Sequence, residues 1–214
     1  MAIAFDAFSN PANITGTSQT FSHTCTGSNL VLFISMWSAY STTSATYNGV
    51  SATQIGSSFD YGGGYLSLFY VINPATGANN VVVTQGTSGQ INGMASSYTG
   101  AAQSSLIDGN TTNSADAASL TTSITTVADN CWGILIARNN GSGVTNAGTG
   151  TTKRGGTDGV YQLFDSNAPK TPAGSLSLVA DRTGGGGATT NTIMATFKTF
   201  VAVTSIPDAR VFFM

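Results

Sequence analysis

The amino-acid sequence predicts an all-β protein, a β-sandwich of jelly-roll type, from two features of its composition and one of its patterning. Charged helix formers are scarce, because the 214 residues include 7 Lys and Arg and no glutamate. Threonine, serine and asparagine stand in their place together with 26 glycines, and these residues favour pleated strands and tight turns. Apolar residues alternate with polar ones over short segments, which is the period of a β-strand.

Four segments of the first half carry the strand pattern, in the order SQTFSHT (18–24), TGSNLVLFIS (26–35), VINPATGANNVVVT (71–84) and INGMASSY (91–98). The second segment is apolar on both of its faces, with Leu30, Leu32, Ile34 and Met36 on one face and Val31, Phe33 and Trp37 on the other. It is therefore predicted to be a central strand that is covered on both sides. Hairpin turns are predicted at the glycine-rich stretches YNGV, DYGGGY and RTGGGGATTN.

The same four patterns recur at an offset near one hundred residues, in ASLTTSITT (118–126), VADNCWGILIA (127–137), SNAPKTPAGSLSLVA (166–180) and NTIMATF (191–197). Met94 and Met194 fall in register, as expected of an internal duplication. No linker composition separates the halves, so we predict one sandwich domain over residues 1–204, with pseudo-repeat halves 1–104 and 105–204. Two tandem sandwiches of immunoglobulin size are the alternative.

The sequence contains no evident catalytic or metal-binding constellation. His23 is the only histidine, and it lies on an alternating segment where a structural role is commoner than a catalytic one. The segment DGNTTNSAD (108–116) offers oxygen ligands for calcium, but it lacks the glycine and the closing glutamate of an EF-hand and is interpreted as a solvated polar loop. We therefore predict no enzymatic activity, no metal and no cofactor.

Two further sets of residues are candidate sites. Aromatic side chains that could stack on sugar rings make up a candidate glycan platform, consisting of Trp37, Tyr40, Tyr61 and Tyr65. Strand aromatics usually fill the core, which is the competing interpretation. Cys25 and Cys131 are too few for a disulfide scaffold, and they form either a single disulfide or two buried thiols.

Charge and hydropathy argue against two classes of binding partner, nucleic acids and membranes. The formal net charge is -2, and the scattered Lys and Arg residues form no basic stripe, which argues against nucleic acid. The start MAIAFDAFSN lacks a basic region and carries Asp6 within its apolar stretch, so no secretion signal is predicted. No apolar run approaches the roughly 20 residues of a membrane helix. We expect neither nucleic acid nor a membrane as a partner.

Residues 205–214 are predicted to be a docking tail, whose apolar members are Val211, Phe212, Phe213 and Met214. Pro207 cannot donate a ladder hydrogen bond, so the last strand is expected to end near it. Each large apolar side chain left in water would forgo about 1.5–3 kcal/mol of burial. The segment is therefore expected to dock, either on its own sandwich or, as we favour, on a groove or sheet edge of a neighbouring subunit.

Several stretches together resemble a known group of proteins, namely FSHTCTGSN, TYNGVSATQIG, LFYVINPATGANNVVVT, ASSYTGAAQSS and TTVADNCWGILIA. Over residues 1–200 the chain resembles β-sandwich proteins that are encoded by bacteriophages and environmental genomes. The resemblance implies a jelly-roll or concanavalin-like sandwich and, for members in phage genomes, a structural role in the virion. It brings no catalytic residues with it.

These observations lead us to expect a non-enzymatic virion structural protein, either a capsid decoration protein or a fibre component. It would be made in the host cytoplasm and incorporated into the virion. We expect a homo-oligomer, with a trimer as the favoured state, that also contacts other virion proteins. The alternative is a lectin-like module that binds a glycan for host attachment.

Overall fold

The computed structural model describes residues 1–141, 144–157, 161–184 and 189–202. Strands make up most of the described residues, which contain no helix, and this confirms the all-β prediction. The strands are, in chain order, β1 (Ala4–Ser9), β2 (Ile14–Cys25), β3 (Val31–Ser38), β4 (Thr42–Tyr47), β5 (Val50–Ser51), β6 (Thr53–Gln54), β7 (Phe59–Asp60), β8 (Tyr65–Ile72), β9 (Gly77–Thr99), β10 (Ile107–Ala115), β11 (Ser119–Thr125), β12 (Trp132–Asn139), β13 (Val144–Ala147), β14 (Thr152–Thr157), β15 (Tyr161–Asp165), β16 (Ser175–Thr183) and β17 (Thr190–Phe197).

The first half of the chain forms one antiparallel sheet that bends into two layers. Its path is β5-β4-β9-β3-β8-β6, with β1 and β2 also pairing with β9, and β7 with β8. The 23-residue strand β9 belongs to both layers, because its N-terminal part pairs with β2 and β4 and its C-terminal part with β1 and β3. The outer layer thus contains β2, β4, β5 and the start of β9, and the inner layer contains β1, β3, β6 to β8 and the end of β9.

The second half forms two separate antiparallel sheets. A five-stranded sheet has the order β10-β17-β12-β15-β14, and a three-stranded sheet has the order β11-β16-β13. The five-stranded sheet is buried on both faces along β12 and β17, whereas β11 alternates buried and exposed residues. The five-stranded sheet is therefore the inner layer of this half and the three-stranded sheet is the outer layer.

The two inner layers pack face to face around the largest hydrophobic core, to which both halves contribute. Phe33 and Tyr98 of the first half meet Trp132 and Phe197 of the second, with ring centroids 4.9 Å apart for Phe33–Phe197 and 5.9 Å for Tyr98–Trp132. Two smaller cores lie between the inner and outer layer of each half. The result is a sandwich-like stack of four layers with three cores.

Strand β3 shows why the inner layers are apolar on both faces. All eight of its residues are buried, and its two sets of alternating side chains enter different cores. This confirms the prediction of a central strand covered on both sides. The outer layers face water on one side, as their alternating sequences require.

Candidate functional site

A cluster of one cation and two aromatic rings lies at the end of the molecule where β3 and β12 finish. Trp37 comes from β3, Tyr61 from the turn between β7 and β8, and Arg138 from β12 of the other half. The turn folds back tightly at Gly64, whose φ is +139°, and a Cβ there would lie 2.9 Å from both Trp37 Nε1 and the Tyr61 hydroxyl oxygen. We refer to Trp37, Tyr61 and Arg138 as the Arg138 cluster.

The guanidinium of Arg138 is held by stacking and by a hydrogen bond. Its Cζ atom lies 3.8 Å from the centroid of the Trp37 ring and 5.7 Å from that of Tyr61. The Tyr61 hydroxyl accepts hydrogen bonds from both Arg138 Nε and Trp37 Nε1. Cation–π contacts of this kind contribute about 0.5–2 kcal/mol, with the larger values where water is excluded. The side chain is therefore pre-oriented.

The charge of Arg138 lacks an ionic partner within the described part of the chain. The two ion pairs found there join Arg154 to Asp165 and Arg182 to Asp116. Burial lowers the pKa of Arg138, although an arginine remains charged in proteins. Burial is also the main cause that raises the pKa of Tyr61. The cluster thus presents a partly desolvated cation with no carboxylate to balance it.

The structure places the aromatic residues of the predicted glycan platform in different environments. Trp37 is only 6% exposed and is covered by Arg138, so its ring face is not free for a sugar. Tyr61 and Tyr65 are half-buried near it, and Tyr40 is 43% exposed, with its ring against Gly89. Arg138 itself was missed in the sequence, because nothing in the stretch GILIAR indicates which aromatic residue it will meet.

His23 belongs to a buried hydrogen-bonded chain that joins β1, β2 and β9. The Ser97 hydroxyl donates to Asp6 over 2.6 Å, so its oxygen accepts from His23 Nε2 at 3.0 Å. His23 Nδ1 then accepts from the Ser9 hydroxyl at 2.9 Å. Desolvation lowers the pKa of His23 to about 4, against the opposing effect of the nearby Asp6 carboxylate. The geometry is that of a neutral histidine that ties three strands together.

Two equivalent-looking carboxylates cap the turns that lead into the long inner strands. Asp6 lies at an irregularity in the pairing of β1 with β9 and accepts from the backbone N–H of Thr26 at 2.9 Å. Asp108 lies at an irregularity in the pairing of β10 with β17 and accepts from the N–H groups of Val127 and Ala128 at 2.9 and 3.2 Å. The interpretation of residues 108–116 as a polar loop was therefore wrong, since most of them form β10.

Cys25 and Cys131 are both buried free thiols. Cys25 is the last residue of β2 and packs in the core of the first half. Cys131 precedes β12, and its backbone pairs with that of Lys170 in an isolated antiparallel β-bridge. Burial is the main cause that raises the pKa of each thiol, to about 11 for Cys131. The structure thus corresponds to the alternative of two buried thiols, which are poor nucleophiles because they stay protonated.

The predicted docking tail, Val211 to Met214, lies outside the described residues, which end at Ala202. Near that point the chain lies beside its N-terminal residue, since the Thr199 hydroxyl donates to the carbonyl oxygen of Met1 over 2.7 Å. A shallow groove runs beside them and is lined by Met1, Ala2, Ile3, Asn130, Pro169, Thr199 and Phe200.

Within the described ranges no group of three or more His, Cys, Asp or Glu side chains is arranged to hold a metal ion. The same residues include no helix with the length and apolarity of a membrane span. Comparison of the chain with protein-family models, with curated proteins and with solved structures found no match.

Proposed function

We propose that this protein is a non-enzymatic structural component of a bacteriophage particle, a capsid decoration or fibre protein. In this proposal it is made in the host cytoplasm, self-associates, contacts other virion proteins and docks through the apolar segment Val211–Met214. The resemblance described above supports the assignment to a particle. The structural support comes from the outward faces of the two outer layers.

These two faces are the observation that carries the proposal, and they point in opposite directions from the four-layer stack. The outer face of the first half consists of small uncharged side chains, among them Ser18, Thr20, Ser22, Thr24, Ser44, Thr46, Asn80, Val82 and Thr84. The outer face of the second half is similar, with Ser119, Thr121, Ser123, Thr125, Ser175 and Ser177. Thr20 lies opposite Val82 and Thr121 opposite Val179, so each face has a valine among hydroxyls.

Such a face can be buried against a neighbour at little electrostatic cost. Removing an unpaired charge from water is expensive, and the residues named above carry none. The second face also includes one charged residue, Asp181, which lies opposite Ser119 and accepts a hydrogen bond from its hydroxyl over 2.6 Å. Some of the hydroxyls of the two faces already hydrogen-bond to one another, at 2.8 Å for Ser44–Thr84 and for Ser123–Ser177. Contact between copies would leave these four hydroxyls with a partner. Two such faces on opposite sides suit repeated packing of identical subunits.

We further propose that the two halves arose by duplication and form a jelly-roll-type pair. The strand orders support this, because β1, β9, β3 and β8 are joined as β10, β17, β12 and β15 are. The register supports it as well, since Val31 pairs with Tyr98 and Trp132 pairs with Phe197, and all four side chains enter the central core. Met94 and Met194, which the sequence pattern aligned, are not equivalent, because Met94 enters the central core and Met194 the core of the second half. Duplication would explain why both sides of the molecule present a similar surface.

Lysine substitutions in the outer faces test self-association. We expect the wild-type protein to exceed its monomer mass of 21.7 kDa in light scattering over a range of concentrations. Thr20→Lys places a charge in the outer face of the first half, and Thr121→Lys places one in that of the second half. Each should reduce the mass of the assembly, whereas Ala75→Lys, in the exposed turn before β9, should not. A wild-type monomer at all concentrations, together with its absence from particles produced by the encoding genome in mass spectrometry, would exclude the proposal.

A second candidate function is a lectin-like module that binds a glycan for host attachment. The Arg138 cluster favours it, because an unpaired, pre-oriented cation lies beside half-exposed tyrosines at one end of the molecule. Titration with sugars, monitored by tryptophan fluorescence, tests this function separately from self-association. If no sugar changes the fluorescence, the glycan-binding function is excluded and only the structural role remains.

A further inference from the structure

The geometry points to the Arg138 cluster as a binding site for the carboxylate of an acidic sugar. This inference deepens the second candidate function and does not depend on the structural role proposed first. It rests on the hydrogen-bond donors that the cluster leaves unused, on the way in which they are held, and on the polar groups around them.

The first step is an inventory of donors. Arg138 uses Nε for the Tyr61 hydroxyl, and its two Nη atoms donate to no acceptor in the described ranges. These Nη atoms are not among the polar atoms buried without a partner, so solvent can reach them. The Tyr61 oxygen accepts two hydrogen bonds, which leaves its own O–H free to donate. The open side of the cluster therefore offers donors to an acceptor group.

The second step is the fit to a carboxylate. A guanidinium matches the two oxygens of a carboxylate in a planar, bidentate geometry. Stacking on Trp37 and the bond to Tyr61 fix the guanidinium plane, so little side-chain entropy is lost on binding. Burial of Arg138 without a counter-ion makes an anionic group from outside the chain favourable there.

The third step concerns the rest of the ligand. The Asn140 side chain is exposed, and its Nδ2 lies 3.7 Å from the place of a Cβ on Gly63, beside the Tyr61 ring. Asp60 is exposed at the other end of the same turn, where it accepts from the N–H of Gly62 at 2.8 Å. An amide donor and a carboxylate acceptor next to tyrosine rings suit the hydroxyls and ring face of a sugar. Peptide carboxylates are instead captured by clustered backbone N–H groups, and the cluster consists of side-chain donors.

Isothermal titration of the full chain with sodium glucuronate, with glucose and with propionate tests the inference, alongside a peptide with a free C-terminal carboxylate. We expect saturable binding of glucuronate, at least tenfold weaker binding of glucose and of propionate, and a change in tryptophan fluorescence because Trp37 lies under the guanidinium. Arg138→Gln should abolish glucuronate binding. Arg138→Lys, which keeps the charge but loses the planar fork, should weaken it. The matched control Lys153→Gln removes an exposed positive charge from β14 and should bind as the wild type does.

Circular dichroism and thermal melting of each variant show whether it is folded. If Arg138→Gln does not fold, its loss of binding is disregarded and the result for Arg138→Lys decides the test. Equal binding of propionate and glucuronate would overturn the assignment to a sugar, and so would tighter binding of the peptide. No binding of any carboxylate by the wild-type protein, or full binding by both Arg138 variants, would overturn the site itself. None of these results bears on self-association, which is read from molecular mass.

Discussion

Acidification from pH 7 to pH 5 should weaken the fold through one group, His23. The folded state holds this histidine neutral with a pKa of about 4, whereas the value in an unfolded chain is near 6.5. As the pH falls below 6.5, His23 binds a proton in the unfolded state but stays neutral in the folded state. The stabilising contribution of His23 is therefore complete above pH 6.5 and is lost as the pH falls towards 4.

The size of the effect follows from the two pKa values. The difference of 2.5 units between 6.5 and 4 corresponds to about 3 kcal/mol in total, and about 2 kcal/mol of it is lost between pH 7 and pH 5. Few other side chains titrate in this interval, because His23 is the only histidine, glutamate is absent and aspartate ordinarily titrates at about 3.9. The interval thus reports on a single buried group.

Urea titrations at closely spaced pH values measure this dependence. The free energy of unfolding of the wild-type protein should fall by about 2 kcal/mol from pH 7 to pH 5. His23→Gln cannot take up the proton, so its stability should be lower at pH 7 and nearly constant over the same interval. A flat wild-type profile would show that His23 is protonated in the folded state at pH 5. An equal slope in the variant would show that another group is responsible.

The remaining predictions concern the capping carboxylates and the tail. Asp108→Ala removes the acceptor of two backbone N–H groups and should lower the free energy of unfolding by about 1–3 kcal/mol in urea titrations, while Asp6→Ala should cost more because it also leaves Ser97 without its acceptor. Equal costs at the two positions would contradict this account. Deletion of residues 207–214 should leave the melting temperature nearly unchanged and abolish oligomerisation or particle binding. A large drop in melting temperature with assembly intact would assign Phe212 and Phe213 to the protein's own core.

The strands were largely predictable because their alternating patterns record which side chains face a core. Their arrangement in layers was not, since a pattern shows that a face is apolar without showing which other face covers it. Strand β9 illustrates the limit. Residues 71–84 and 91–98 indicated two strands, whereas the structure continues one strand from Gly77 to Thr99. Gly89 lies in the intervening stretch, where a Cβ would come within 2.6 Å of the Tyr40 ring.

The candidate site was also only partly predictable from the sequence. The sequence pattern identified Trp37 and Tyr61 as candidate aromatic residues, but the cation that contacts both of them lies 77 residues after Tyr61 and still further from Trp37. Arg138 reaches Trp37 only because the two inner layers pack face to face. Contacts between layers depend on the relative placement of whole sheets, which local patterns do not encode.

The buried histidine is also a chemical difference between the two halves, because only the first half contains one. In the pairing of β2 with β9, His23 lies opposite Asn79, and in the pairing of β11 with β16, Ile124 lies opposite Leu176. Under the proposed duplication these are corresponding positions, so the same fold is compatible with an apolar pair there. The second half then has no histidine to titrate, and protonation of His23 acts on the bonds to Ser9 and Ser97 that join β2 to β1 and β9. Acid should therefore loosen the outer layer of the first half before it affects the second.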